Sequence, residues 1–128
     1  MPIRILVVDD SAIVRQADRS CIESNTDWEV CGVAESGAAA LDMVRELRPD
    51  IVVLDLAMPG MNGLEVAREI RATARGTRMI MFTGNDCEAL LKKAEDAGIS
   101  KVVAKSGDGV VDHLLAAIRD VFHKRDAA

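Results

Sequence analysis

The chain has 128 residues, enough for one domain with a single buried core and too few for a second folded unit. Apolar residues make up 49% of it but aromatics only 2%, so the core must be built from Val, Ile, Leu, Ala and Met, and stacking of bases or a flavin on aromatic rings is excluded. The net charge of -5 repels phosphate backbones and argues against direct nucleic-acid binding.

The first apolar run, Ile3 to Val8, has strand length and stops at Asp9 and Asp10. It is too short for a signal peptide or a membrane span, so the chain is expected in the cytosol and off the membrane. A helical pattern follows, with Ile13, Val14, Ala17, Cys21 and Ile22 expected on one face. The second strand is expected over Glu29 to Ala34, and the helix after it carries Ala40, Leu41, Val44 and Leu47. The third run, Ile51 to Leu54, closes on Asp55. After Asn62 and Gly63 a third helix presents Leu64, Ala67 and Ile70 and ends near Gly76; its Arg68, Arg71 and Arg75, with Arg78 beyond, read as a solvated basic face. A fourth strand, Met79 to Phe82, ends at Thr83, and a helix from about Asp86 to Ala97, stopped by Gly98, carries Leu90, Leu91 and Ala94. The fifth strand, Lys101 to Ala104, ends at Lys105. The last helix repeats apolar residues at Val110, Val111, Leu114, Leu115, Ile118 and Phe122, a 3.6-residue period.

Five strands alternating with five helices imply an α/β fold: a doubly wound parallel sheet with right-handed crossovers and helices on both faces. The first and third strands are apolar throughout, so they are central. The strand order expected is 2-1-3-4-5, a flavodoxin-like arrangement. In sheets of that order ligands bind at the switch point beyond the carboxyl ends of strands one and three. Asp9, Asp10 and Asp55 fall there, and Thr83 and Lys105 end the next two strands on the same edge.

Cys21, Cys31 and Cys87 are odd in number and lack a C-x-x-C spacing, so they read as reduced, mostly buried thiols, with Cys87 near a helix start. His113 and His123 lie on the last helix without a second ligand type beside them, which argues against a metal role.

Carboxylates crowded together raise one another's pKa and persist where a cation compensates them. Oxygen ligands alone suit Mg2+. A cation beside an ammonium and a hydroxyl can take the oxygens of a phosphoryl group, and Asp55, the central acid, is best placed as the nucleophile that forms an acyl phosphate. Taken singly, Lys105 would be a counter-ion to the acids and Thr83 a strand-end residue; their joint occurrence at successive strand ends favours chemistry.

The run Leu6-Val-Val-Asp-Asp10, the segment from Asp50 through Asp55 to Gly63, the run Ile80-Met-Phe-Thr-Gly84, and Lys105 after Lys101-Val-Val-Ala104 together resemble the receiver domain of bacterial two-component response regulators. The resemblance spans about Ile3 to Phe122 of a single domain over 1–128. It implies that Asp55 accepts phosphate from a sensor histidine kinase or phosphotransfer protein. By the same resemblance Asp9, Asp10, Asp55 and the backbone carbonyl of Ala57 hold Mg2+, Thr83 is the switch hydroxyl, and Lys105 contacts the phosphate. The module is then not an enzyme in its own right but takes part in its own phosphorylation and slow autodephosphorylation. Phosphate on Asp55 would draw Thr83 inward and shift the surface of the fourth helix, fifth strand and fifth helix, where an effector protein or a second copy could dock.

Two positions depart from the commonest pattern. Val102 stands where receivers usually carry Tyr or Phe, so an aromatic partner for Thr83 is not carried over. Ser106 follows Lys105 where many relatives have Pro, and the Lys105–Ser106 bond is expected trans, since a cis form without Pro costs about 3 to 4 kcal/mol. Ala57 and Asn85 border the approach of hydrolytic water, and Ala57 can neither orient nor activate it. The Lys-Ser pair and the stretch Asp27 to Glu35 look more like receivers that continue into a helix-turn-helix. The rival classes are weaker. An aspartyl phosphatase needs an acid two residues after its nucleophile, where this chain has Ala57; a flavin carrier needs a phosphate loop; a pseudo-receiver usually lacks one of the acids or the lysine, and here all are present.

Overall fold

The computed structural model describes residues 2–84, 88–105 and 108–127, with side chains up to Phe122. The elements are β1 (Ile3–Val8), α1 (Ala12–Glu23), β2 (Trp28–Ala34), α2 (Gly37–Leu47), β3 (Ile51–Leu54), α3 (Gly63–Thr73), β4 (Arg78–Thr83), α4 (Glu88–Asp96), β5 (Lys101–Ala104) and α5 (Val110–Ala127). All strand pairs are parallel, in the order β2-β1-β3-β4-β5. This is the doubly wound sheet expected, with β2 and β4 slightly longer than the apolar runs alone suggest.

Alternation along the central strands divides the core in two. Leu6, Val8, Val52, Leu54, Met79 and Met81 pack under α2, α3 and α4 with Ala40, Val44, Leu64, Ala67, Ile70, Leu90 and Ala94. On the opposite face Ile5, Val7, Ile51, Val53, Ile80 and Phe82 meet Ile22 of α1 and Leu114, Ala117, Ile118 and Val121 of α5. Each fully buried Leu or Ile contributes roughly 1.5–3 kcal/mol, so strands that are apolar on both faces can only be interior.

Local chemistry starts the helices. Ser11 and Ser36 accept hydrogen bonds from Val14 and Ala39 at the starts of α1 and α2, and Asn62 with Glu65 forms a reciprocal capping box on α3. α3 stops at Thr73, three residues short of Gly76. α1 departs from expectation: Ile13 is 83% exposed and Ala17 exposed, while Asp18 is buried. Asp18 lies four residues after Val14 and four before the fully buried Ile22, so the inward arc runs through an acid rather than through Ile13. Leu91 and Val111, expected on buried stripes, are each 46% exposed. Cys21 and Cys31 are free and half-buried. Cys87, Asn85, the start expected for the fourth helix, the Lys105–Ser106 bond and the His123 side chain lie outside the described residues.

Candidate functional site

Backbone pairing brings the strand-end residues together. β1 and β3 are in register with Val8 opposite Leu54, and the Asp55 amide donates to the Val8 carbonyl at 2.9 Å. The next residues, Asp9 and Asp55, therefore leave the sheet side by side. Asp9, Asp10 and Asp55 each offer a carboxylate oxygen, and these atoms lie within 4.8 Å of one another. On the other side Thr83 pairs with Ala104, and the Lys105 amide donates to the Thr83 carbonyl at 2.7 Å. Lys105 Nζ reaches Asp9 Oδ2 at 2.5 Å and Asp55 Oδ1 at 3.2 Å. Its ammonium also lies 5.6 Å from the centre of the Phe82 ring, which lends it a weak cation–π contact.

Asp9 is held from several sides. Oδ1 accepts from the Ser11 amide at 2.9 Å, Oδ2 accepts from Lys105, and Arg15 donates to the Asp9 carbonyl at 2.8 Å. The cap of α1 thus orients an acid of the site. Asp9, Asp55 and Thr83 are buried, whereas Asp10 is exposed. Burial pushes the Asp55 carboxyl above its usual range; Lys105 opposes this, and Asp9 and Asp10 reinforce it. For Lys105, burial acts to lower the pKa, but the Asp9 hydrogen bond and the charges of Asp55 and Asp9 outweigh it, leaving the ammonium above its ordinary value.

The loop after Asp55 is fixed by α3. Gly63 donates to the Leu56 carbonyl at 2.9 Å, and a Cβ on Gly63 would stand 2.3 Å from the Asp55 carbonyl oxygen. Only glycine allows the start of α3 to lie against the backbone of the central acid. Ala57 is exposed on this loop.

The structure brings together Asp9, Asp10, Asp55 and Lys105, and sets Thr83 beside them in register. Sequence reasoning overlooked Asp18. Burial raises its pKa to about 6, with Lys105 lowering it and Asp9 and Asp55 raising it further, so it belongs to the same electrostatic cluster. An acid inside the apolar period of a helix, between Val14 and Ile22, was the signal available for it. The donor set of three adjacent carboxylates fits a small hard cation, since such acids repel one another without one.

A family model described as the response regulator receiver domain matches residues 5–119. This chain belongs to that family. Among its relatives, a protein-glutamate methylesterase/protein-glutamine glutaminase of Nocardioides sp. is 40% identical over 127 residues, covering 96% of this chain and 34% of that protein. Response regulator MprA of a Mycobacterium sp. is 36% identical over 124 residues, covering 97% of this chain and 52% of MprA. The chain thus spans a third to a half of the length of these relatives. Among solved structures, the response regulator domain of Thermotoga maritima CheB superposes with a TM-score of 0.88 at 32% identity, covering 96% of this chain and 98% of that one. A LuxR-family response regulator from Aurantimonas sp. gives 0.91 at 37% identity, over 97% and 87% of the two chains. The flavodoxin-like receiver fold and the two-component signalling class expected from the motifs are therefore shown. As a receiver the domain is a signalling module. Among the described residues no helix is long and apolar enough to cross a membrane.

Proposed function

We propose that this receiver takes a phosphoryl group onto Asp55 from a histidine kinase or phosphotransfer protein, with Mg2+ held by Asp9, Asp10, Asp55 and the Ala57 carbonyl. The observation that carries this reading is the convergence of three carboxylate oxygens within 4.8 Å with an ammonium 3.2 Å from Asp55. Bound Mg2+ would supply positive charge against the oxygens of the incoming group. An Asp55 oxygen attacks the phosphorus, the bond from phosphorus to the donor's histidine nitrogen breaks, and its electron pair stays on that nitrogen. Burial and the neighbouring acids make the Asp55 carboxylate more basic and thus a better nucleophile. Lys105, already between Asp9 and Asp55, exchanges its carboxylate partners for phosphoryl oxygens as the acyl phosphate forms. Thr83, buried at the end of the neighbouring strand, supplies a hydroxyl for the same group. Drawing Thr83 toward Asp55 would shift the equilibrium of the α4, β5 and α5 surface read by an effector.

Phosphate-affinity electrophoresis after acetyl phosphate and Mg2+ tests the reading. A retarded species is expected for the wild type and none for Asp55→Asn; equal retardation of both would place the phosphate elsewhere.

A further inference from the structure

At the edge of the sheet opposite the acids, α3 and the end of α4 enclose a groove of about 600 Å³ lined by Arg68, Arg71, Ala72, Arg75, Asp96 and Ala97. Arg68 and Arg71, three residues apart, share one side of α3, and Arg75 lines the same groove from just beyond the end of the helix. We propose that this groove docks a carboxylate-rich peptide segment of a partner protein, gripped by the guanidinium groups of Arg68, Arg71 and Arg75.

The groove carries an excess of positive charge: three arginines line it against one acid, Asp96. Among the described residues no Asp or Glu lies within 4.0 Å of these three arginines, whereas Arg19, Arg45 and Lys101 each have an acidic partner. Glu65, one turn before Arg68, is committed to the capping box of α3. The groove is also pre-shaped. Arg71 donates to the Asp96 carbonyl at 3.0 Å and runs across Gly98, where a Cβ would stand 2.7 Å from Arg71 Cδ. Gly98 has φ +90°, so the backbone that ends α4 gives Arg71 its room. A guanidinium held this way loses little freedom on binding and keeps further N–H donors for bidentate contact with a carboxylate. The helix dipole accounts for a cation in the last turn of α3; it does not account for three arginines lining one groove together with Ala72 and Ala97. A nucleic acid is the poorer occupant, because its continuous phosphates would extend from this short groove onto the surface of a chain with net charge -5. A peptide ends where the arginines do.

The test is titration of the ¹⁵N-labelled protein with capped hexaglutamate, without phosphorylation. Saturable shifts are expected at the amides of Ala72 and Ala97 and at the arginine Nε–H groups, weakening as salt is raised. Arg68→Glu/Arg75→Glu should weaken binding by about tenfold or more, because each change turns an attraction into a repulsion. The charge-matched control Arg19→Glu/Arg119→Glu, on α1 and α5 across the sheet from the groove, should stay within about twofold of wild type. Unmoved Ala72 and Ala97 amides, equal losses in both variants, or equal affinity for a hexathymidylate would each overturn the proposal.

Discussion

Replacing Asp18 by Asn should stabilise the fold, and by an amount that grows with pH. Asp18 is 7% exposed, and its pKa is raised from 3.8 to about 6, mainly by burial. The folded state therefore binds this proton more tightly than the unfolded chain. The sign follows from linkage: below 3.8 both states are protonated and Asp18 costs nothing, the cost grows as the unfolded chain ionises first, and it is complete above about 6. Each pH unit between the two values is worth about 1.4 kcal/mol, so the full cost is about 3 kcal/mol. Asn keeps the shape and a donor–acceptor pair but cannot ionise. Urea unfolding in EDTA should show Asp18→Asn more stable than wild type by about 3 kcal/mol near pH 7.5 and by about half of that near pH 5. A gap that stays constant with pH, or a less stable variant, would refute the assignment of a buried, proton-holding acid at this position.

Three further outcomes follow from the site. Labelling of Asp55 by acetyl phosphate should fall in excess EDTA to the background of Asp55→Asn, because the one ammonium of Lys105 does not balance three acids and the excess negative charge repels the donor; undiminished labelling would exclude the carboxylates as metal ligands. Ala57→Asn should speed loss of phosphate by about tenfold, equivalent to about 1.4 kcal/mol of barrier, by giving the hydrolytic water an orienting amide; decay of the phosphorylated protein after removal of donor measures it, and identical half-lives would make residue 57 a bystander. Gly63→Ala should cost about 1–3 kcal/mol in denaturant unfolding and slow phosphorylation, since its Cβ must push the start of α3 away from the Asp55 backbone; wild-type stability and rate together would show that the loop yields without moving the acid.

Elements and their order were legible in the sequence because the interactions that define them are local. Runs such as Ile3 to Val8 and Ile51 to Leu54, apolar at every position, fit only interior strands, and the 3.6-residue recurrence from Val110 to Phe122 fits only a packed helix. Once the strands are parallel, Asp9, Asp10, Asp55, Thr83 and Lys105 share an edge, which is why the acid cluster could be anticipated before any distance was known. The rotation of α1 was not legible. Ile13 and Asp18 border the same arc, and which of them turns inward depends on how α1 seats against the sheet beside α5, a decision made by packing among residues a hundred positions apart. Nor could spacing reveal that Gly63 lies on the Asp55 carbonyl, that Lys105 leans more closely on Asp9 than on Asp55, or that Arg71 crosses Gly98 to reach the end of α4. A helical or strand period specifies which side chains share a face; what that face meets, and how closely, is set by the joint packing of every element against the sheet.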